Sequence, residues 1–147
     1  MKALLRRIGC WLPLLAVLLP LAAQAGERPR TNFLLHCSGC HRQDGGGSPE
    51  NGIPSMKDRV GHFLRLPEGR AFLVQVPGTS QSSLGDGDTA ELLNWMVVAL
   101  SPNAVPSNRA PYTRDEVARL RASPLNDVAA VRASVVGRLR EMGYNIE

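Results

Sequence analysis

Five consecutive residues, Cys37-Ser38-Gly39-Cys40-His41, constrain this chain more than anything else in it. Two thiols separated by two residues, with an imidazole directly after, form the C-x-x-C-H pattern of covalent haem c attachment. The spacing has a physical reason. Each cysteine adds across one porphyrin vinyl group, and a helical turn sets the two sulfurs about one vinyl-to-vinyl span apart. The adjacent His41 then lies beneath the ring, where a ring nitrogen can reach iron. Ser38 and Gly39 are small enough to let the backbone approach the porphyrin edge. The pair also fits a thioredoxin-type redox site, but no βαβ pattern accompanies it. Half of a structural zinc site is a further option, but such a site needs four ligands. Beyond the motif and the N-terminal 25 residues, only His36 and His62 remain as additional His or Cys ligands.

The N-terminus reads as a secretory signal peptide over residues 1–25. Lys2, Arg6 and Arg7 supply its positive charge, residues 8–21 its apolar run, and Ala23-Gln24-Ala25 its cleavage site. A retained membrane anchor is the runner-up, weakened by the shortness of the run and by Pro13 and Pro20. No lipobox precedes Cys10. Cleavage removes Cys10, so both remaining cysteines lie in the C-x-x-C-H motif and no disulfide framework is available. The formal charge of +4 also shrinks, to 14 basic against 13 acidic residues. No concentrated basic patch argues for nucleic-acid binding. What is left suits one small domain, residues 26–101, followed by a linker and helical extension over 102–147. A core this small is hard to stabilise alone, so folding is expected to depend on a buried porphyrin.

Along the chain, residues 26–30 read as a short leader, with Thr31 or Asn32 capping a helix that runs into Cys37. Phe33 and Cys37 share one face of that helix. His36 reads as a surface residue. Residues 42–54 are rich in Gly, Asp, Asn and Pro and read as a loop that wraps a ring edge. Asp58 is expected to cap a short turn over residues 59–64. Pro67 suits the first position of a helix that stops near Pro77-Gly78, and residues 79–88 read as a loop. Asp88 is expected to cap the most strongly patterned helix. There Ala90, Leu93, Met96, Val97 and Leu100 recur at helical spacing, and Leu92 and Trp95 widen the stripe. Thr113 to Glu116 match a capping box. Asn126 or Asp127 caps a last helix with Val128, Val131, Val135 and Leu139 on one face, and Gly143 ends it. No strand pattern is visible, so the expected class is all-α.

Taken in order, these features resemble a small class I c-type cytochrome over roughly residues 32–100. An aromatic helix enters C-x-x-C-H, a Gly-rich loop leads to a proline, a Pro-led helix follows, and a last core helix carries an aromatic. The resemblance implies a cytochrome c fold around one covalent haem c and single-electron transfer in the periplasm. The partners it implies are a dehydrogenase and a downstream acceptor. It also implies that Cys37 and Cys40 are the thioether cysteines and His41 the proximal iron ligand. The Pro54 carbonyl would accept a hydrogen bond from that histidine, Met56 would pack on the proximal face, and Trp95 would pack on the first helix.

The sequence departs from the family at the sixth iron ligand. The family draws a methionine from the loop before the last core helix. Residues 76–88 contain no Met, His or Lys, and carry Gln81, Ser82 and Ser83 instead. His62 and Met56 are the candidates, with an open position close behind and Met96 a packing residue. An open iron would favour a ligand sensor or peroxide-handling enzyme over an electron carrier. A thiol–disulfide oxidoreductase using Cys37 and Cys40 is the other alternative. Six arginines line the C-terminal extension. They read as a solvated face, or, through Arg119 and Arg121, as a docking surface for an acidic redox partner.

Overall fold

Apolar residues at helical spacing account for most of what the chain builds. The computed structural model describes residues 27–146; the expected signal peptide and cleavage site lie outside them. In chain order come α1 (Glu27–His36), α2 (Ser38–His41), a 3-10 turn (Pro49–Asn51), a second (Val60–Arg65), α3 (Pro67–Gln75), α4 (Pro77–Ser80), α5 (Asp86–Leu100), α6 (Arg114–Arg121) and α7 (Val128–Glu141). Among the described residues the sole strand-like pairing is one antiparallel bridge, Ser48 to Ile53. The fold is all-α, as expected.

Helix α1 crosses α5, and fully buried Phe33 stacks at a tilt on Trp95 with ring centroids 5.7 Å apart. The chain is already helical at Glu27, so residues 27–30 are no leader, and Thr31 and Asn32 lie inside the helix. Pro29 is buried within it. Asp58 does not cap the turn after it. It takes a left-handed conformation, φ +54°, and its N–H bonds the Leu100 carbonyl at 2.9 Å. Helix α5 starts at Asp86 behind Gly85, two residues before the expected cap. The segment before it is partly helical. Pro77 restarts the chain as α4, with Thr79 and Ser80 N–H groups on the Val76 carbonyl.

The C-terminal extension is not a separate layer. Helix α6 packs on α5 and α3, and α7 on α3 and the Val60–Arg65 turn. Tyr112, Val117, Val135, Leu139 and Ile146 join Phe33, Phe63, Phe72, Leu93 and Val97 in one core. Polar ties reinforce the seam. The Asn94 side chain donates to the Tyr112 carbonyl at 3.0 Å and accepts the Tyr112 N–H at 2.8 Å. The Tyr112 hydroxyl donates to the Arg70 carbonyl at 2.8 Å, and burial pushes its pKa well above the usual phenol value. Thr113 and Asp127 cap α6 and α7 by accepting the Glu116 and Ala130 N–H groups. Glu116 completes no capping box: both its oxygens receive the Arg70 guanidinium, at 2.6 and 2.7 Å.

Candidate functional site

The chain breaks from α1 at Cys37 and turns at once into the short helix α2. The Cys37 N–H still bonds the Phe33 carbonyl at 2.9 Å, and the Cys37 carbonyl accepts from the Cys40 and His41 N–H groups at 3.3 and 3.0 Å. Cys37, Cys40 and His41 therefore share a single turn. The Ser38 hydroxyl donates back to the Leu34 carbonyl at 2.7 Å, tying that turn to α1. Both thiols are free. Cys40 is exposed, whereas Cys37 is half-buried, and that burial, followed by the nearby Cys40 charge, pushes its pKa up. A Cβ on Gly39 would meet nothing within 4 Å, so the outer face of the turn is open.

His41 is half-buried, and burial pulls its imidazole pKa below the ordinary 6.5. The ring is thus neutral at pH 7, the form that ligates metal. The Pro54 carbonyl acts on the ring in the opposite sense, as an acceptor that holds the pKa up. Buried Nδ1 nevertheless has no partner in full hydrogen-bond geometry. The loop that carries Pro54 is folded against the motif at Gly47, whose N–H bonds the His41 carbonyl at 3.0 Å. At φ +70°, Gly47 lies so close to the chain that a Cβ would stand 2.6 Å from both the Ile53 and Pro54 carbonyl oxygens. Gly45 anchors the same loop, accepting the Met56 N–H at 2.8 Å. The Gly-rich composition signals a close backbone approach, but not that Gly47 is the pinch.

The structure thus gathers Cys37, Cys40, His41 and Pro54. The sixth-ligand candidates have other neighbours. His62 lies against the C-terminal segment, its ring 4.6 Å from that of Tyr144 and its Nδ1 accepting from Arg65 Nε at 3.4 Å. Met56 is partly buried and packs on the core, and Met96 is buried in α5. Among the described residues no three His, Cys, Asp or Glu side chains gather to hold a metal ion by themselves. Free thiols on one turn beside a neutral imidazole suit a group that supplies its own equatorial ligands, as a porphyrin does.

A different groove, of about 450 Å³, opens among Leu64, Arg65, Arg70, Arg109 and Met142. Its guanidiniums serve internal acceptors: Arg70 bonds Glu116 and the Ala110 carbonyl, Arg65 the Ala104 carbonyl, and Arg109 the Asn94 side chain. The other extension arginines also differ from a uniform solvated face. Arg114 and Arg119 are exposed, but Arg138 pairs with Glu68, Arg140 donates to the Ile146 carbonyl at 2.7 Å, and Arg121 turns inward.

The chain is similar to cytochrome c-552 of Thermus thermophilus. The identity is 29% over 107 residues, covering 60% of this chain and 81% of the relative. A cytochrome c-552 from a further strain of that organism is likewise 29% identical over 107 residues, with 72% of its length covered. No family model matches, and no solved structure matches. No described helix is long and apolar enough to cross a membrane.

Proposed function

We propose that this chain is an exported c-type cytochrome that carries one electron on one covalently bound haem c. The observation that carries the reading is the single turn holding two free thiols and a neutral, half-buried imidazole. When bound, the haem supplies a one-electron iron couple. The sulfurs of Cys37 and Cys40 would form the thioethers. His41 would supply a ring nitrogen to iron, and the Pro54 carbonyl would accept a hydrogen bond from its other nitrogen. Phe33 and Trp95 form the apolar wall behind the turn. The site of action is the periplasm, between a dehydrogenase and a terminal acceptor.

A haem stain after denaturing electrophoresis tests this, because thioethers do not dissociate. The purified, processed protein is expected to carry the mass of one haem, and Cys37→Ala/Cys40→Ala to carry none. A folded wild-type product without the added mass would overturn the reading.

One observation favours a second reading, a ligand-binding sensor or peroxide-handling enzyme: residues 76–88 offer no Met, His or Lys to the sixth position. Low-temperature electron paramagnetic resonance of the oxidised protein separates the two, since high-spin iron belongs to the second. A thiol–disulfide oxidoreductase requires an attacking cysteine of lowered pKa, and burial drives Cys37 the other way.

A further inference from the structure

The groove beside the C-terminal extension is assembled from three separated stretches of chain. Leu64, Arg65 and Arg70 come from the core, Asn108 and Arg109 from the linker after α5, and Met142 from the end of α7. Three guanidiniums line it and no carboxylate does. Arg70 meets an acid, Glu116. Arg65 and Arg109 meet neutral acceptors alone: the His62 ring at 3.4 Å, the Ala104 carbonyl at 3.2 Å and the Asn94 side chain at 3.3 Å. Among the described residues, Arg109 Nε and Nη2 and Arg65 Nη1 have no hydrogen-bond partner. These side chains are also held in place. The Arg65 guanidinium lies over the Tyr144 ring, 4.4 Å from its centroid, and that of Arg70 over the Tyr112 ring at 4.0 Å. Donors fixed before a ligand arrives remove part of the ordering cost of binding. The fork of a guanidinium matches the two oxygens of a carboxylate, and half-burial strengthens the attraction. One wall of the groove is apolar, with Leu64 partly buried and Met142 50% exposed. Its volume of about 450 Å³ is that of a site for a small molecule.

We propose that this groove is a binding site for a small organic anion, a carboxylate carried on a short apolar chain. The carboxylate takes the unspent donors of Arg65 and Arg109, and the chain lies against Leu64 and Met142. The walls belong to the core and to the extension, so the bound anion ties one to the other and stabilises the folded molecule. The site stands apart from the Cys37–His41 turn and does not rest on the cytochrome reading.

Hexanoate, acetate and hexanol test the carboxylate and the chain separately. Each is titrated into the purified, processed protein, followed by the NMR signal of the Met142 methyl and by thermal melting. Hexanoate is expected to shift that methyl saturably, to raise the melting temperature and to bind about tenfold tighter than acetate, the gain from burying about two methylenes. Hexanol should do none of this over the same range. Arg109→Gln should weaken both anions about tenfold, the loss of one charge-assisted contact. Arg114→Gln, an exposed site on α6 outside the groove, should weaken neither. Met142→Ser should bring hexanoate down towards acetate and leave acetate unchanged. That side chain is exposed, so this comparison holds even if Arg109→Gln does not fold. Hexanol binding as well as hexanoate would reduce the groove to an apolar cleft and overturn the proposal. Equal losses in Arg109→Gln and Arg114→Gln would reduce it to diffuse charge and overturn it too, as would the absence of any saturable shift with hexanoate.

Discussion

Gly47 and Gly52 share nearly the same backbone, φ +70° and +75°, but not the same surroundings. A Cβ on Gly52 meets open space, whereas one on Gly47 strikes two carbonyl oxygens. Gly52→Ala should therefore cost only the left-handed penalty, about 1 kcal/mol. Gly47→Ala adds overpacking against backbone that cannot swing aside, for a total of about 3 kcal/mol. Thermal melting of the two variants side by side checks the difference. His62 offers a second test. Burial, then the Arg65 charge, holds its pKa below 6.5. Its contribution to stability is thus full above pH 6.5 and lost as the pH falls towards the folded value, because the unfolded chain takes up the proton first. Protonation also removes the Nδ1 lone pair that accepts from Arg65. An NMR titration of the His62 ring should give a midpoint below 6.5, with Tyr144 resonances shifting in step. At this scale Cys37, Cys40 and His41 are legible in the sequence because their chemistry lies in adjacent positions. Gly47 is not, since its pinch joins it to Ile53 and Pro54 across a closed loop. Arg121 is hidden among arginines that look alike until the extension folds.

Among the helices, the ion pairs that matter are the ones that join elements out of solvent. Arg70 and Glu116 link α3 to α6 bidentately, with side chains 19% and 18% exposed. Burial lowers the cost of ordering the pair and raises the cost of breaking it. Glu116→Gln should then lose about 1–2 kcal/mol, between the values for exposed and fully buried pairs. The Arg28–Glu91 pair between α1 and α5 is 60% and 50% exposed, and Glu91→Gln should leave the melting temperature almost unchanged. Denaturant midpoints of the two variants decide this. The stripe on α5 is readable because Ala90, Leu93, Met96 and Val97 repeat with the helix. Its start is not, because Asp88 looks like a cap in sequence. In the structure its carboxylate lies 3.5 Å from Arg28, and Gly85 holds the boundary. Likewise Thr113 and Glu116 match a capping box, but a partner 46 residues away claims the glutamate.

In the molecule as a whole, the segment after residue 111 completes the core. Tyr112, Val117, Val135, Leu139 and Ile146 are each at most 3% exposed. At about 2 kcal/mol for each buried side chain, their loss rivals the ~5–15 kcal/mol net stability of an ordinary domain. A chain ending at residue 111 should lose its cooperative thermal transition, followed by far-ultraviolet circular dichroism. The motifs read from the sequence end at about residue 100, so the rest reads as an appendage. Its apolar faces are visible, but their destination is not, because a helical stripe does not say which surface it covers. The contact between Phe33 and Trp95 reaches beyond packing. Trp11 and Trp95 are the chain's two tryptophans, and Trp11 would leave with the signal peptide. Indole emission from the processed protein then comes from Trp95, against the Phe33 ring one helical turn before Cys37. A porphyrin there would absorb that light, so fluorescence that is dark in the loaded protein and bright once α1 lifts from α5 gives the molecule its own label-free optical gauge of folding.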